Sequence, residues 1–561
     1  MPSTYAALLC TTAIILAGLE SAGAQGTASG QPEAAEAGSQ GDSGMSLADE
    51  ARTWIGQKVV SADGTEIGVL RGVTDVLSST SEAGQLVVEA PDGSEIEVKL
   101  QDATSDGETV TVVEPASEYE EETGGGQDAV QGSERGDQSR YEATLVGHAI
   151  LPAETRAAPP EDAPEALQVS GKFTTEGDPS RRTEAPSSGS TLPLQGQPIQ
   201  GFSGISMRED GSFHVLTDNG FGARQNSPDA MLFFHVVRPN FETGEVEVER
   251  TTFLSDPNKV VPFPIQMEGT AERYLTGADF DTEGFQVVAG KIFIGDEFGP
   301  YLLVADAETG EVEEFHETLA GGTEVRSPDN FRLRLPNPGE EPPAYNLKRS
   351  RGFEGLAASP DGATLYPMLE GAIHDAASGD YERLEGNEAL RILEFDVADR
   401  EWTGRSMLYR LEQDGNAIGD FNMIDDTRAL IIERDNNQGL AAQACEPGET
   451  EGCFENPAEF KRVYLIDMGG VGDEEPVKKL AYIDLLDIAD PNGVARQGGQ
   501  EDGRFAFPFQ TIENVDQVDD AHIIVAADNN FPFSSGRSVE RPDDNEFILL
   551  EVGEFLKARA R

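Results

Sequence analysis

The stretch Asp281-Thr282-Glu283-Gly284-Phe285-Gln286-Val287-Val288-Ala289-Gly290-Lys291-Ile292-Phe293-Ile294-Gly295-Asp296-Glu297 decides how this chain is read. An apolar run, a turn at Ala289-Gly290 and a second apolar run are the marks of a β-hairpin. About six residues out and six back return the chain to its starting edge, so Glu283 and Glu297 belong to the same end of the hairpin. The unit recurs. Phe202-Ser203-Gly204-Ile205 leads through Asp210-Gly211 to Asp218, and Glu354-Gly355-Leu356 leads through Asp361-Gly362 to Glu370. Looser copies run from Asp420-Phe421 to Glu433 and from Glu513-Asn514 to Asp528. The closing carboxylate follows the opening landmark by 15, 14, 16, 13 and 15 residues.

Units that recur every 63 to 95 residues imply a propeller or an array, because one hairpin cannot bury both of its faces. The fold class read here is all-β: a β-propeller of five hairpin units, with room for a sixth blade. Inner strands line the channel of a propeller, so the acids converge on one mouth. Converging carboxylates repel unless a cation neutralises them, and oxygen ligands in that number suit Ca2+. The expected metal ligands are Asp218, Glu283, Glu297, Glu354, Glu370, Glu433, Asp435 and Asp528, with Glu283, Glu297, Glu354 and Glu370 also the candidates for catalysis. Ser203 stands where the other units carry an acid, so one ligand of a symmetric ring is missing. The competing reading is that these acids only end strands, where Asp, Asn and Gly make turns.

The chain has 561 residues, with 103 Asp plus Glu against 41 Lys plus Arg and a formal net charge of -62. That charge repels nucleic-acid phosphate and anionic lipid, which excludes those partners, and fits a protein from salty surroundings. Residues 1–24 read as a signal peptide: Ala6 to Leu19 is apolar and Ala22-Gly23-Ala24 offers a cleavage site, although no Lys or Arg precedes them. Nothing else approaches the length of a membrane span. The chain is therefore expected to be periplasmic or secreted. Cleavage leaves Cys445 and Cys453, eight apart, which suit a disulfide in an oxidising compartment better than a zinc site.

Residues 25–45 form a Gly-, Ser-, Ala- and Glu-rich leader, and 115–142 an acidic linker with the same logic. Between them, 46–114 carries short strands at Trp54–Val60, Glu66–Leu70, Gln85–Ala90, Glu95–Leu100 and Thr109–Val113, with Asp-Gly turns, and reads as a small β-barrel. Ile55-Gly56-Gln57-Lys58-Val59, Asp63-Gly64-Thr65-Glu66-Ile67-Gly68 and Glu95-Ile96-Glu97-Val98 resemble the PRC-barrel family. The resemblance implies an interaction module with a partner the sequence does not name. The propeller occupies 143–555, its last blade completed by 143–151 or by 167–174. Outer strands are expected at Met231–Val237, Val246–Leu254, Tyr301–Ala305, Val312–Phe315, Leu390–Val397, Val463–Met468 and Glu546–Val552.

Several motifs of the large domain resemble, in order, the family described as esterase-like activity of phytase. They are Leu145-Val146-Gly147 with Leu151-Pro152, Gly201-Phe202-Ser203-Gly204-Ile205, Asp281-Thr282-Glu283-Gly284-Phe285, Gly295-Asp296-Glu297-Phe298-Gly299-Pro300, Arg349-Ser350-Arg351-Gly352-Phe353-Glu354-Gly355-Leu356, and Leu369-Glu370 with Asp375. The resemblance implies a secreted propeller that hydrolyses phosphate or carboxyl esters. Glu-Gly at the start of an inner strand is also similar to the metal-site glutamate of gluconolactonase-type calcium propellers. A small phosphorylated or ester substrate is expected. Arg349, Arg351 and Arg434 are the candidate phosphate holders, because guanidinium meets phosphate with two parallel hydrogen bonds; pairing with neighbouring acids is their other reading. No Gly-x-Ser-x-Gly elbow, zinc-like histidine spacing or nucleotide-binding Gly loop occurs. A non-catalytic calcium-stabilised binding platform, or a lactonase or carboxylesterase, competes on the same frame.

Overall fold

The computed structural model describes residues 138–173, 192–199, 201–334, 344–376, 378–449, 452–500 and 502–559, and shorter stretches between 54 and 112. Two units are separated at Gly132/Ser133. The expected signal peptide, the leader and the linker up to residue 137 lie outside the described residues, as do the turns at 63–64 and 91–93.

The first unit holds a six-stranded sheet ordered 95–99, 85–89, 66–74, 58–60, 109–112, 103–105. Strands 58–60 and 109–112 run parallel and the other neighbours antiparallel. Val59, Leu70, Leu86, Val88, Val110 and Val112 are buried in it. Strand Ala103–Ser105 has no counterpart in the sequence reading; three residues are too few to show a period.

The second unit is a β-propeller. Among the described residues it contains five four-stranded antiparallel sets of strands. Their inner hairpins are Phe202–Met207 with Phe213–Thr217, Thr282–Val288 with Lys291–Asp296, Phe353–Ala358 with Thr364–Leu369, Ala417–Met423 with Arg428–Arg434, and Thr511–Gln517 with His522–Asp528. We number the sheets first to fifth in that order. The innermost strands touch in a closed cycle, the fifth meeting the first. Inner strands are buried on both faces, whereas an outermost strand such as Glu245–Phe253 alternates exposed and half-buried residues along most of its length.

Successive sheets enclose separate apolar cores. Phe293, Leu302 and Val304 of the second sheet meet Leu356, Leu365 and Phe395 of the third. Leu430, Ile432, Val463 and Leu465 of the fourth meet Val515, Ile523 and Val525 of the fifth. At the axis there is little room for side chains. A Cβ on Gly284 would lie 2.5 Å from the Leu356 nitrogen, so the second and third inner strands approach backbone to backbone.

The ring closes through Thr144–Leu151, which runs antiparallel to Asn545–Glu551 as the outermost strand of the fifth sheet. The alternative segment, 167–174, supplies only Val169–Ser170, paired with Leu194–Gln195. Ser139–Tyr141, expected within the linker, instead adds a parallel edge to Lys478–Asp484 of the fourth sheet. Outer strands Glu401–Arg410 and Lys478–Asp484 also go beyond the sequence reading.

Candidate metal centre

Each inner hairpin carries a β-bulge close to its opening landmark. The register breaks between Phe202 and Ile205, Thr282 and Phe285, Phe353 and Gly355, Ile418 and Phe421, and Ile512 and Asn514. A bulge gives one strand extra residues and re-aims their side chains. The bulges hold Ser203, Glu283, Glu354, Gly419 and Glu513 at equivalent places. One residue beyond the partner of each pre-bulge residue stand Asp218, Glu297, Glu370 and Asp528, and the equivalent in the fourth sheet is Arg434. All the carboxylates among them are at most 8% exposed.

These acids meet. Oxygens of Asp218, Asp281 and Glu283 lie within 4.8 Å of one another, as do those of Glu283, Glu354 and Glu513, and those of Glu297, Glu354 and Glu370. Two guanidinium groups enter the same cluster. Arg434 Nη2 lies 2.7 Å from Glu513 Oε1, and Arg351 Nη1 lies 2.5 Å from Glu370 Oε1. Behind the acids, a second layer fixes their orientation. Asn219 Nδ2 donates to Asp281 at 2.5 Å, Asn530 Nδ2 donates to Asp528 at 2.7 Å, and the Asp281 N–H donates to Asp296 at 2.9 Å. Deeper in the channel, Asp420 accepts from the Ile205 and Val515 N–H groups and from Asn422 Nδ2, at 3.2, 3.1 and 3.0 Å.

Burial and mutual repulsion act together on these groups. Burial first, then the charges of Glu354, Asp218, Asp281 and Glu513, push Glu283 well above the ordinary carboxylate range. Burial followed by Glu370, Asp281 and Glu354 does the same to Glu297, and burial followed by Asp218 and Asp296 to Asp281. Glu354 rises through burial, Glu513 and Glu370, against the pull of Arg434 and Arg351. Asp218, Glu513 and Asp528 are raised by burial above all. Burial works against the charge of Arg434, but Glu513, Glu354 and Glu370 outweigh it and hold the guanidinium above its usual value. Such a site takes up either protons or cations, and an all-oxygen donor set fits a hard divalent ion.

The family model for esterase-like activity of phytase matches residues 197–531, from just before the first inner strand to just past Asp528. The chain belongs to this family. It is also 26% identical over 188 residues to an uncharacterized secreted protein of Arthroderma benhamiae, a match covering 30% of this chain and 36% of that one. The chain thus spans about a third of that relative's length. Among solved structures, the Dos1 propeller aligns at 10% identity and a TM-score of 0.25 over 64% of this chain and 69% of that one. A luciferin-regenerating enzyme aligns at 8% and 0.26 over 62% and 78%. Myxococcus xanthus glutaminyl cyclase aligns at 9% and 0.27 over 63% and 92%.

In this family member, Asp218, Glu283, Glu297, Glu354, Glu370 and Asp528 line the mouth together. The fourth unit corrects the sequence reading. Glu433 pairs in register with Ile418 and points away from the cluster. It accepts from Tyr409 Oη, Asn416 Nδ2, Lys479 Nζ and the Glu412 N–H at 2.7–2.8 Å. Asp435 is also elsewhere, tied to Lys461 at 2.9 Å and to the N–H groups of Glu459 and Phe460. Arg349 lies exposed on the surface, paired with Asp329. Arg351 and Arg434 do reach the acids. Two cluster members go beyond the expected ligand set. Glu513 carried the opening landmark of its unit, and Asp281 stands two residues before Glu283 on the same strand end. Cys445 and Cys453 form a disulfide.

Proposed function

We propose that this chain is a secreted hydrolase of small phosphate esters that depends on calcium at the propeller mouth. The observation carrying this reading is the meeting of the Glu297/Glu354/Glu370 triad with Arg351, and of Glu513 with Arg434. Bound calcium supplies charge neutralisation for the phosphate oxygens and a lowered pKa for water. Arg351 and Arg434 offer paired N–H donors to those oxygens. Glu297 is placed to accept a proton from water as the phosphate–oxygen bond to the alcohol breaks, and hydrogen bonds from Asn219 and Asn530 keep Asp281 and Asp528 from turning. Family membership supports hydrolysis, and the secreted relative supports export. No helix among the described residues is long and apolar enough to cross a membrane.

A second reading has an observation of its own. Arg349, Arg351 and Arg434 are each already paired with a carboxylate, which suits a calcium-stabilised binding platform without turnover. Hydrolysis of p-nitrophenyl phosphate and of p-nitrophenyl acetate, each with calcium and with EGTA, separates the readings. Calcium-dependent release from the phosphate ester is expected. Release from the acetate alone would point to carboxylesterase chemistry, and no release from either, with calcium-linked stability intact, would point to the platform.

A further inference from the structure

Building on the proposed cation site, we infer that the mouth takes at least two divalent ions side by side, with Glu283 and Glu354 as the shared ligands. The three acid triads are not independent. The first and second overlap only in Glu283, and the second and third only in Glu354. Each triad keeps its oxygens within 4.8 Å. Ligands on opposite sides of one calcium lie about 5 Å apart, so each triad is the size of one ion's shell. A carboxylate has two oxygens and can serve two neighbouring ions, which is what the shared positions require.

Charge points the same way. Among the described residues, Asp218, Asp281, Glu283, Glu297, Glu354, Glu370, Glu513 and Asp528 are ion-paired through Arg351 and Arg434, while the nearby Lys461 is taken by Asp435, which leaves an excess of six negative charges when all eight are ionised. One divalent ion leaves four of those charges unbalanced among side chains at most 8% exposed. Burying unpaired charge costs several kcal/mol per ion, on the order of a domain's whole stability when repeated.

A separate observation does not depend on the acids. Ser203 is 1% exposed, and its hydroxyl has no hydrogen-bond partner. It occupies the bulge position from which Glu283, Glu354 and Glu513 project. Arg434 Nε, on a residue 5% exposed, is likewise without a partner. A buried polar atom left unmet costs about 1–3 kcal/mol, so both point to something that occupies the mouth. The two outer triads also differ in company. Glu297/Glu354/Glu370 adjoins Arg351, whereas Asp218/Asp281/Glu283 is braced by Asn219. The ion on the third-sheet side is therefore the one placed to meet a substrate phosphate, and the ion on the first-sheet side ties hairpins together.

The test is a metal count. The full chain is stripped with EGTA, loaded with calcium chloride in about 0.5 M NaCl to screen the surface acids, and desalted. Retained calcium is measured by atomic emission and titrated by calorimetry. About two to three equivalents are expected. Asp281→Asn should lose about one and Glu354→Gln about two, with circular dichroism checking the fold of each. A single equivalent in the unaltered chain overturns the inference, and equal losses in the two variants overturn the sharing. If Glu354→Gln fails to fold, the count in the unaltered chain decides alone. A chain with one calcium that still hydrolyses the phosphate ester would sink this inference and leave the proposed function standing. The reverse result would do the opposite.

Discussion

If calcium binds at the mouth as proposed, removing it should change not only how stable the propeller is but how its stability depends on pH. Seven cluster carboxyls have raised pKa values: Asp218, Asp281, Glu283, Glu297, Glu354, Glu513 and Asp528. Asp296, Asp516 and Asp543, buried outside the cluster, are pushed by burial from 3.8 to about 7. A raised carboxyl keeps its proton in the folded chain after the unfolded chain has lost it. Its stabilising contribution is complete below the unfolded value and disappears as pH climbs through the folded one. Each such proton makes stability fall by about 1.4 kcal/mol per pH unit inside that window. Asp296, Asp516 and Asp543 alone give up to about 4 kcal/mol per unit, and Asp229, Asp279, Asp420 and Asp484, also raised by burial, add to that slope with calcium or without. The cluster acids steepen the fall only when calcium is absent, since an ion holds them deprotonated. Each ion that binds the folded chain alone adds about 2.7 kcal/mol at a free concentration one hundred times its dissociation constant. Calcium-loaded and EGTA-treated chains should therefore be closest near about pH 5 and far apart near about pH 7.5. The assay is the urea midpoint followed by the fluorescence of Trp402, stacked on Phe353 at 5.9 Å. A gap that does not widen with pH, or an EGTA-treated chain that grows more stable as pH rises across the window, would refute the reasoning.

Two substitutions probe the geometry beneath this. Gly201 has a φ of +32°, and a Cβ there would lie 1.9 Å from Asp528 Oδ1, so Gly201→Ala should displace that carboxylate, weaken calcium binding in calorimetry and lower the melting temperature. Glu433→Gln should cost about 3 kcal/mol in urea unfolding, because Lys479, 6% exposed, loses one of its two acidic partners, but should leave the calcium count unchanged. A lost calcium in Glu433→Gln would return that residue to the metal site.

Much of the fold was legible because the inner hairpins obey simple rules. Their strands are largely apolar on both faces, three of the five turns carry Asp-Gly or Ala-Gly and the other two Asp-Asp, and an acid sits at the returning edge in four of the five. Outer strands obey weaker rules. Glu401–Arg410 reads Glu-Trp-Thr-Gly-Arg-Ser-Met-Leu-Tyr-Arg, with exposed and half-buried positions alternating over its first half, and polar residues fill enough places to hide the period. The contribution of Ser139–Tyr141 was invisible for another reason. Three residues that add an edge to a sheet owe their conformation to Ala481–Ile483, not to local preference.

The fourth unit shows what spacing alone misses. Matching acid to acid aligned Asp420 with Glu283 and Glu433 with Glu297. The observed register instead places Gly419 opposite the first and Arg434 opposite the second, each one residue away. Side chains alternate faces along a strand, so a slip of one turns a channel residue into a core residue. Glu433 is accordingly a buried strut between the third and fourth sheets, and the channel receives a guanidinium. That exchange changes what the mouth can do. Acids from every sheet would make a site that only concentrates cations. With Arg434 among them, one flank holds cations and the other offers fixed N–H donors, so a field runs across the opening. On the proposed function, a phosphate ester would enter such a field in one orientation, its oxygens towards Arg434 and the cation-holding acids and its alcohol directed outward. On that proposal, repulsion among the acids does more than call for protons or a counter-ion: together with the basic replacement in the fourth sheet, it would orient the anion that arrives.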